Sequence, residues 1–132
     1  NDMQVLMVST FQHPFYPYSG TEHPAPNMVN IPLPGGTGGD EFCQVVNDIW
    51  LPRLREFKPE MIFISAGFDA HYEDDLGGLK LLEKDFAWVT EQIKQIADET
   101  AQGRIVSILE GGYVLSALAR SVAAHIKVLA SI

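Results

Sequence analysis

Carboxylate, imidazole and phenol groups gather at three points of this 132-residue sequence. The first is Ser9-Thr10-Phe11-Gln12-His13, the second Ser65-Ala66-Gly67-Phe68-Asp69-Ala70-His71, and the third Glu110-Gly111-Gly112-Tyr113. Asp69 and His71 form an Asp-x-His pair, and a carboxylate beside an imidazole suits Zn²⁺ or a similar divalent ion. The same pair also reads as a capping or solvent-facing aspartate next to a surface histidine. Asp74-Asp75 offers further carboxylates, although an acidic pair before Leu76-Gly77-Gly78 is more often a turn. In the third group two glycines let backbone approach a ligand closely, and Tyr113 then supplies a hydroxyl that can donate a hydrogen bond. A tight turn followed by a packed tyrosine has the same sequence.

Other reactive residue types find no partners. Gly35-Gly36-Thr37-Gly38-Gly39 lacks the Gly-Lys-Ser/Thr ending of a phosphate-binding loop and does not directly follow an apolar run. It reads as a turn before a helix, with Asp40 and Glu41 placed to complement the positive end of the helix dipole. Cys43 falls near an apolar stripe and reads as a core filler. His125 sits on the apolar side of the last helix and reads as structural. Ser9 and Ser121 show no Ser/His/Asp arrangement, and His23 has no nameable partner.

The elements that position these groups follow from hydrophobic period. Residues 5–8, 61–64 and 105–109 are short apolar runs bounded by loop residues, without polar alternation, as expected of strands buried in a parallel sheet. Phe42, Val45, Val46, Ile49, Leu54 and Phe57 recur at helical spacing, as do Phe86, Val89, Ile93 and Ile96, and then Leu118, Val122, His125 or Ile126, and Leu129. Pro52 should kink or interrupt the first of these helices. The order is βαβαβα, which predicts an α/β fold with a parallel sheet and helices on both faces. Right-handed crossovers then bring all three groups to the strands' carboxyl edge, where ligands bind. Residues 11–39 hold six of the eight prolines and read as one long loop, either functional or an ordered surface connection.

Composition removes several function classes. With 46% apolar and 20% charged residues the chain is neither disordered nor a coiled coil. Seventeen acidic against nine basic residues, a net charge of −8, disfavour nucleic acid and anionic lipid as partners. No apolar run approaches the ~20 residues that span a bilayer, and a single cysteine favours a reducing, cytoplasmic setting. The sequence opens on Asn1-Asp2 and reaches an apolar run almost at once, as a piece of something longer would.

Residues 65–71, Asp74, Leu76-Gly77-Gly78-Leu79 and, one helix later, Leu109-Glu110-Gly111-Gly112-Tyr113 resemble the C-terminal third of the zinc-dependent histone deacetylase family. That family includes acetylpolyamine amidohydrolases and acetoin-utilisation proteins. Val8-Ser9, Tyr16-Pro17, Gly20, residues 29–34 and Gly35-Gly36-Thr37 are also similar to it, so the likeness covers essentially the whole chain. The resemblance implies an arginase/deacetylase-like fold in which residues 1–132 form the C-terminal part of a single catalytic domain. It implies removal of acetyl groups from lysine side chains or polyamines, with Asp69 as one of three Zn²⁺ ligands and Tyr113 as the hydroxyl that bonds the acetyl carbonyl. Gly67, Phe68, Gly111 and Gly112 would line the acyl channel, and Ser9 and Thr10 would help hold a monovalent cation, generally K⁺. His71 is not a ligand in the family, which overrules the Asp-x-His reading.

The departures from the family matter equally. Its Asp-x-His ligand pair and adjacent His-His base lie upstream of the first strand here, and none of the four histidines is next to another. These 132 residues alone are therefore expected to be inactive and to bind zinc weakly or not at all. Phe11 stands where many relatives have His, Leu82 where a Ser/Thr helix cap is common, and Asn27 in place of an aromatic. Two other classes compete. A nucleotide-binding module needs a glycine-rich turn directly after the first strand, which Ser9-Thr10-Phe11-Gln12 is not. A non-catalytic interaction or regulatory domain would not depend on Asp69 or Tyr113.

Overall fold

Parallel pairing of apolar strands organises the chain, which a computed structural model describes over residues 2–132. Strands β1 (Met7–Gln12) and β2 (Met28–Leu33) pair in parallel, and so do β3 (Ile62–Ala66) and β4 (Ile105–Leu109). Helices α1 (Gly39–Val45) and α2 (Leu51–Phe57) lie between β2 and β3, α3 (Glu83–Thr100) follows β3, and α4 (Leu115–Leu129) follows β4. The α/β class and the parallel pairing are as expected. The strand β2, inside residues 11–39, is not. Val29, Ile31 and Leu33 alternate there, and Ile31 and Leu33 join the hydrophobic core. Pro32 in that run hides the strand in the sequence. It is tolerated because β2 is bonded to β1 alone and leaves one edge free of ladder hydrogen bonds.

Pro52 acts as its chemistry requires. Residues Val46–Trp50 form a π-helical turn between α1 and α2, with Pro52 at the start of α2. The wider turn accommodates the proline without ending the helical run. Leu82, which offers no acceptor of its own, opens α3, and Asp85 Oδ2 reaches back to accept the Leu82 N–H at 2.9 Å. That reciprocal half of a capping box replaces the missing Ser/Thr.

One hydrophobic cluster serves both strand pairs. Leu33 of β2 and Ala66 of β3 are buried with Phe42, Leu54, Phe86 and Ile96 of the helices, and Val8, Ile62 and Ile64 pack against them. The two strand pairs thus share a helical layer although no ladder hydrogen bonds join them. Between them runs an open groove of about 1860 Å³, lined by both β1 and β3. The face of β3 and β4 that carries Phe63 and Ile108 is bare, with Phe63 66% exposed. Among the described residues no helix is long and apolar enough to cross a membrane.

His125 ties the helices to the sheet. Its ring lies between Thr90 of α3, with Oγ1 at 2.7 Å from Nδ1, and Ser107 of β4, with Oγ at 2.8 Å from Nε2. Thr90 donates its hydroxyl hydrogen to the Phe86 carbonyl at 2.6 Å, so it accepts from His125 Nδ1–H, and Nε2 accepts from Ser107. This arrangement requires the neutral imidazole, and burial lowers the ring's pKa from its ordinary 6.5. A base whose folded pKa is depressed contributes stability that is complete above the unfolded value and is lost as pH falls through it. Denaturant titrations should therefore show stability holding above pH 6.5 and declining as pH falls below it. His125→Gln should lower stability near neutral pH by about 1–3 kcal/mol and flatten that decline.

Candidate functional site

Beyond the last residues of β3 and β4 the backbone pairing continues. Glu110 N–H donates to the Ala66 carbonyl at 3.0 Å and Phe68 N–H donates to the Gly111 carbonyl at 2.8 Å. The loop after β3 and the turn after β4 are thereby laid side by side. On the opposite flank Gln12, at the end of β1, accepts the Gly78 N–H at 2.7 Å, and Gly36 N–H donates to the Gly78 carbonyl at 2.7 Å. The three residue groups singled out from the sequence are thus stitched together at the strands' carboxyl ends, with residues 34–38 and 77–81 between them.

Asp69 occupies the centre of this edge. A Cβ added to Gly111 would lie 2.7 Å from its Cγ, and one added to Gly67 would lie 3.1 Å from Oδ1, so the carboxylate fills a slot that only glycines leave open. Gly77 backs the same residue: a Cβ there would meet the Asp69 carbonyl oxygen at 2.5 Å. Burial pushes the Asp69 carboxyl up from its usual range, its own backbone N–H pulls it down, and the nearby charge of Asp74 raises it again. A half-buried carboxylate held this way gains from a cation placed against it.

Tyr113 follows Gly112, whose φ of +142° is a conformation that favours glycine. Its side chain is 58% exposed, and it lines the same groove as Asp69 and Gly67. Asp74 links the two loops. This carboxylate is 3% exposed, accepts the Leu76 N–H at Oδ1 (3.1 Å) and accepts the Tyr113 N–H at Oδ2 (2.8 Å). The sequence marked it as a turn residue. It is one, but it also reaches 39 residues along the chain to the turn after β4.

A family model described as the histone deacetylase domain matches residues 1–129. The chain belongs to the histone deacetylase family. It is 44% identical over 106 residues to "Type-2 histone deacetylase 2" of Dictyostelium discoideum, covering 78% of this chain and 6% of that protein. It is 40% identical over 121 residues to "Probable deacetylase" of Archaeoglobus fulgidus, covering 86% of this chain and 33% of that protein. A "Histone deacetylase-like amidohydrolase" of Pseudomonas aeruginosa is 35% identical, over 83% of this chain and 30% of its own length. Among solved structures, the HD domain of HDA15 superposes with a TM-score of 0.90 at 30% identity, over 98% of this chain and 39% of that one. The histone deacetylase Clr3 gives 0.89 at 29% identity, over 99% and 23%. The chain thus spans between 6% and 39% of the length of these relatives, and the arginase/deacetylase fold is the one it shares with them.

Within this member of the histone deacetylase family the remaining residues take clear places. His71 turns away from the groove. It is buried and stacked on Phe86, Nδ1 accepts the Glu73 N–H at 3.0 Å, and Nε2 lies 3.3 Å from Glu83. Asp69 and His71 therefore do not form a ligand pair. Arg120 donates to Glu73 at 2.6 Å and to Glu83 at 2.5 Å, and this contact holds the Glu83 carboxyl down at about 2. Phe68 is 4% exposed, with its ring edge-on to Phe86 (5.1 Å) and His125 (5.7 Å). Its contribution in this chain is to anchor the loop from below.

Ser9 and Thr10 are half-buried in β1, and both line the groove. Adjacent strand residues point to opposite faces, so one ion meets at most one of those two hydroxyls. Burial raises the Cys43 thiol, as a core filler requires. The bonds of Gln12 to Gly78 and of Asp74 to Tyr113 were missed from sequence, since partners 66 and 39 residues away leave no local pattern.

The glycine slot generates a direct test. Gly111→Ala should force the Asp69 carboxylate out of position and lower stability by about 1–3 kcal/mol. Gly38→Ala, where an added Cβ meets only the Glu41 side chain at 3.5 Å, should cost less on steric grounds. Denaturant midpoints of the two variants compare them.

Proposed function

We propose that this chain is the C-terminal part of a single catalytic domain that removes acetyl groups from lysine side chains or polyamines. One observation carries the reading. In a chain of the histone deacetylase family, Asp69 and Tyr113, from loops after neighbouring strands, line one groove at the strands' carboxyl edge. The amidohydrolase name of the Pseudomonas relative supports amide hydrolysis as the reaction class.

The donor set fits one share of a metal site. Asp69 offers a carboxylate in a glycine-walled slot with its pKa raised by burial, and the described residues hold no group of three His, Cys, Asp or Glu able to enclose an ion. Asp69 would thus hold Zn²⁺ together with ligands from outside these residues. When bound, Zn²⁺ supplies a Lewis acid and a water of lowered pKa.

The chain's own residues do the rest. Gly111 and Gly112 keep the turn narrow enough for an acyl group to approach backbone. Tyr113 donates its hydroxyl hydrogen to the acyl oxygen as negative charge develops there. The proton taken from water goes to a base that lies outside these residues, and the products are acetate and a free amine. Ser9 or Thr10 remains the proposed contact for a monovalent cation.

In the protein that contains this chain, Tyr113→Phe should reduce kcat on acetyl-lysine peptides by about 10²–10³ while zinc content is retained. Asp69→Ala should lose zinc. Near-normal turnover in the first variant, or full zinc in the second, contradicts the assignment. The 132-residue chain alone should show neither tight zinc by metal analysis nor hydrolysis of the same peptide.

A further inference from the structure

Tyr113 presents a positioning problem. It follows two glycines, one at φ +142°, and its side chain is 58% exposed. Past Gly111, where the pairing with the loop after β3 ends, the glycine at 112 leaves the backbone free and packing gives the phenol little restraint, yet an oxyanion donor must be held to within a fraction of an ångström. Some other contact has to set where residue 113 sits.

We propose that Asp74 is the positioning residue for Tyr113: its buried carboxylate fixes the residue's main chain relative to the loop that carries Asp69, and so sets the direction from which the phenol enters the groove. The assignment deepens the deacetylase reading and rests on it. The geometry is specific. Asp74 is 3% exposed, and its carboxylate oxygens accept separate N–H groups, Leu76 in its own loop and Tyr113 in the other. Its own N–H donates to the His71 carbonyl at 2.9 Å, which closes the turn after Asp69. Behind it, His71 is stacked on Phe86, and Tyr72 N–H and Leu81 N–H exchange bonds with the Leu81 and Ala70 carbonyls. Asp74 therefore joins a braced loop to the part of the turn that lies beyond the backbone pairing at Gly111. A charged acceptor suits this because hydrogen bonds from N–H groups to a carboxylate are stronger than to a neutral group.

The experiment is a double-mutant cycle in the protein that contains this chain, with acetyl-lysine peptide hydrolysis and zinc stoichiometry as readouts. Asp74→Ala should lower kcat by roughly 10–10²-fold, with KM and zinc content little changed. Asp74→Asn, which keeps one acceptor oxygen, should recover part of that loss. Added to Tyr113→Phe, Asp74→Ala should cost less than about twofold more, because the hydroxyl it positions is already gone. An unchanged kcat in Asp74→Ala, or the full loss repeated in the Tyr113→Phe background, overturns the proposal.

Amide hydrogen exchange in the protein that contains this chain separates this from failure of the deacetylase reading. The Tyr113 amide should be protected in the wild type and exchange faster in Asp74→Asn, with the β3 and β4 amides unchanged. Should the wild-type protein not hydrolyse acetyl-lysine, a Tyr113 amide released by Asp74→Asn still supports the positioning role. Unaltered protection of that amide overturns it.

Discussion

The extension of β3–β4 pairing past the ends of the strands is the interaction on which the site depends. Two backbone hydrogen bonds, Glu110 N–H to Ala66 and Phe68 N–H to Gly111, hold a loop and a turn from different crossover units in one register. Every later contact assumes that register. The Asp69 carboxylate fits because Gly111 lies opposite it, and Asp74 reaches the Tyr113 N–H because the turn is already alongside. A slip of one residue would present a side chain where the slot needs none, since alternate residues face opposite sides.

Carboxylates at such an edge are costly unless each has a partner, and the chain treats its acidic groups differently. Asp74 and Asp85 are buried and accept backbone N–H groups. Glu73 and Glu83 share one exposed guanidinium. Asp69 is the exception: burial and the neighbouring Asp74 both favour its neutral form, against only a backbone hydrogen bond of its own. A carboxylate whose surroundings disfavour its charge, at the mouth of a groove, is a chemical invitation to a cation.

The groove gives the same chain a second character. Two parallel strand pairs share one helical layer through Leu33, Ala66, Phe42 and Phe86, while their facing flanks remain unjoined. Phe63 and Ile108 stay exposed for want of a layer against them. The solved relatives superpose on nearly all of this chain and extend well beyond it, which accords with a layer architecture of which one portion is present here.

By itself the sequence determined the local chemistry. Apolar runs made strands at 62–66 and 105–109, helical spacing made α3 and α4, and the glycine-bearing loops at 65–71 and 110–113 carried the family likeness in consecutive residues. Those are short-range properties, set by side-chain type and period. Tertiary structure decided the rest. Pro32 disguised β2 until pairing with β1 showed which edge the missing N–H faces. His71 was turned from a possible ligand into a core residue by Phe86 and Glu83, and Asp74 from a turn residue into a tie across 39 positions. A side chain's direction depends on which distant segment supplies its partner, and nothing in the spacing of neighbours along the chain records that.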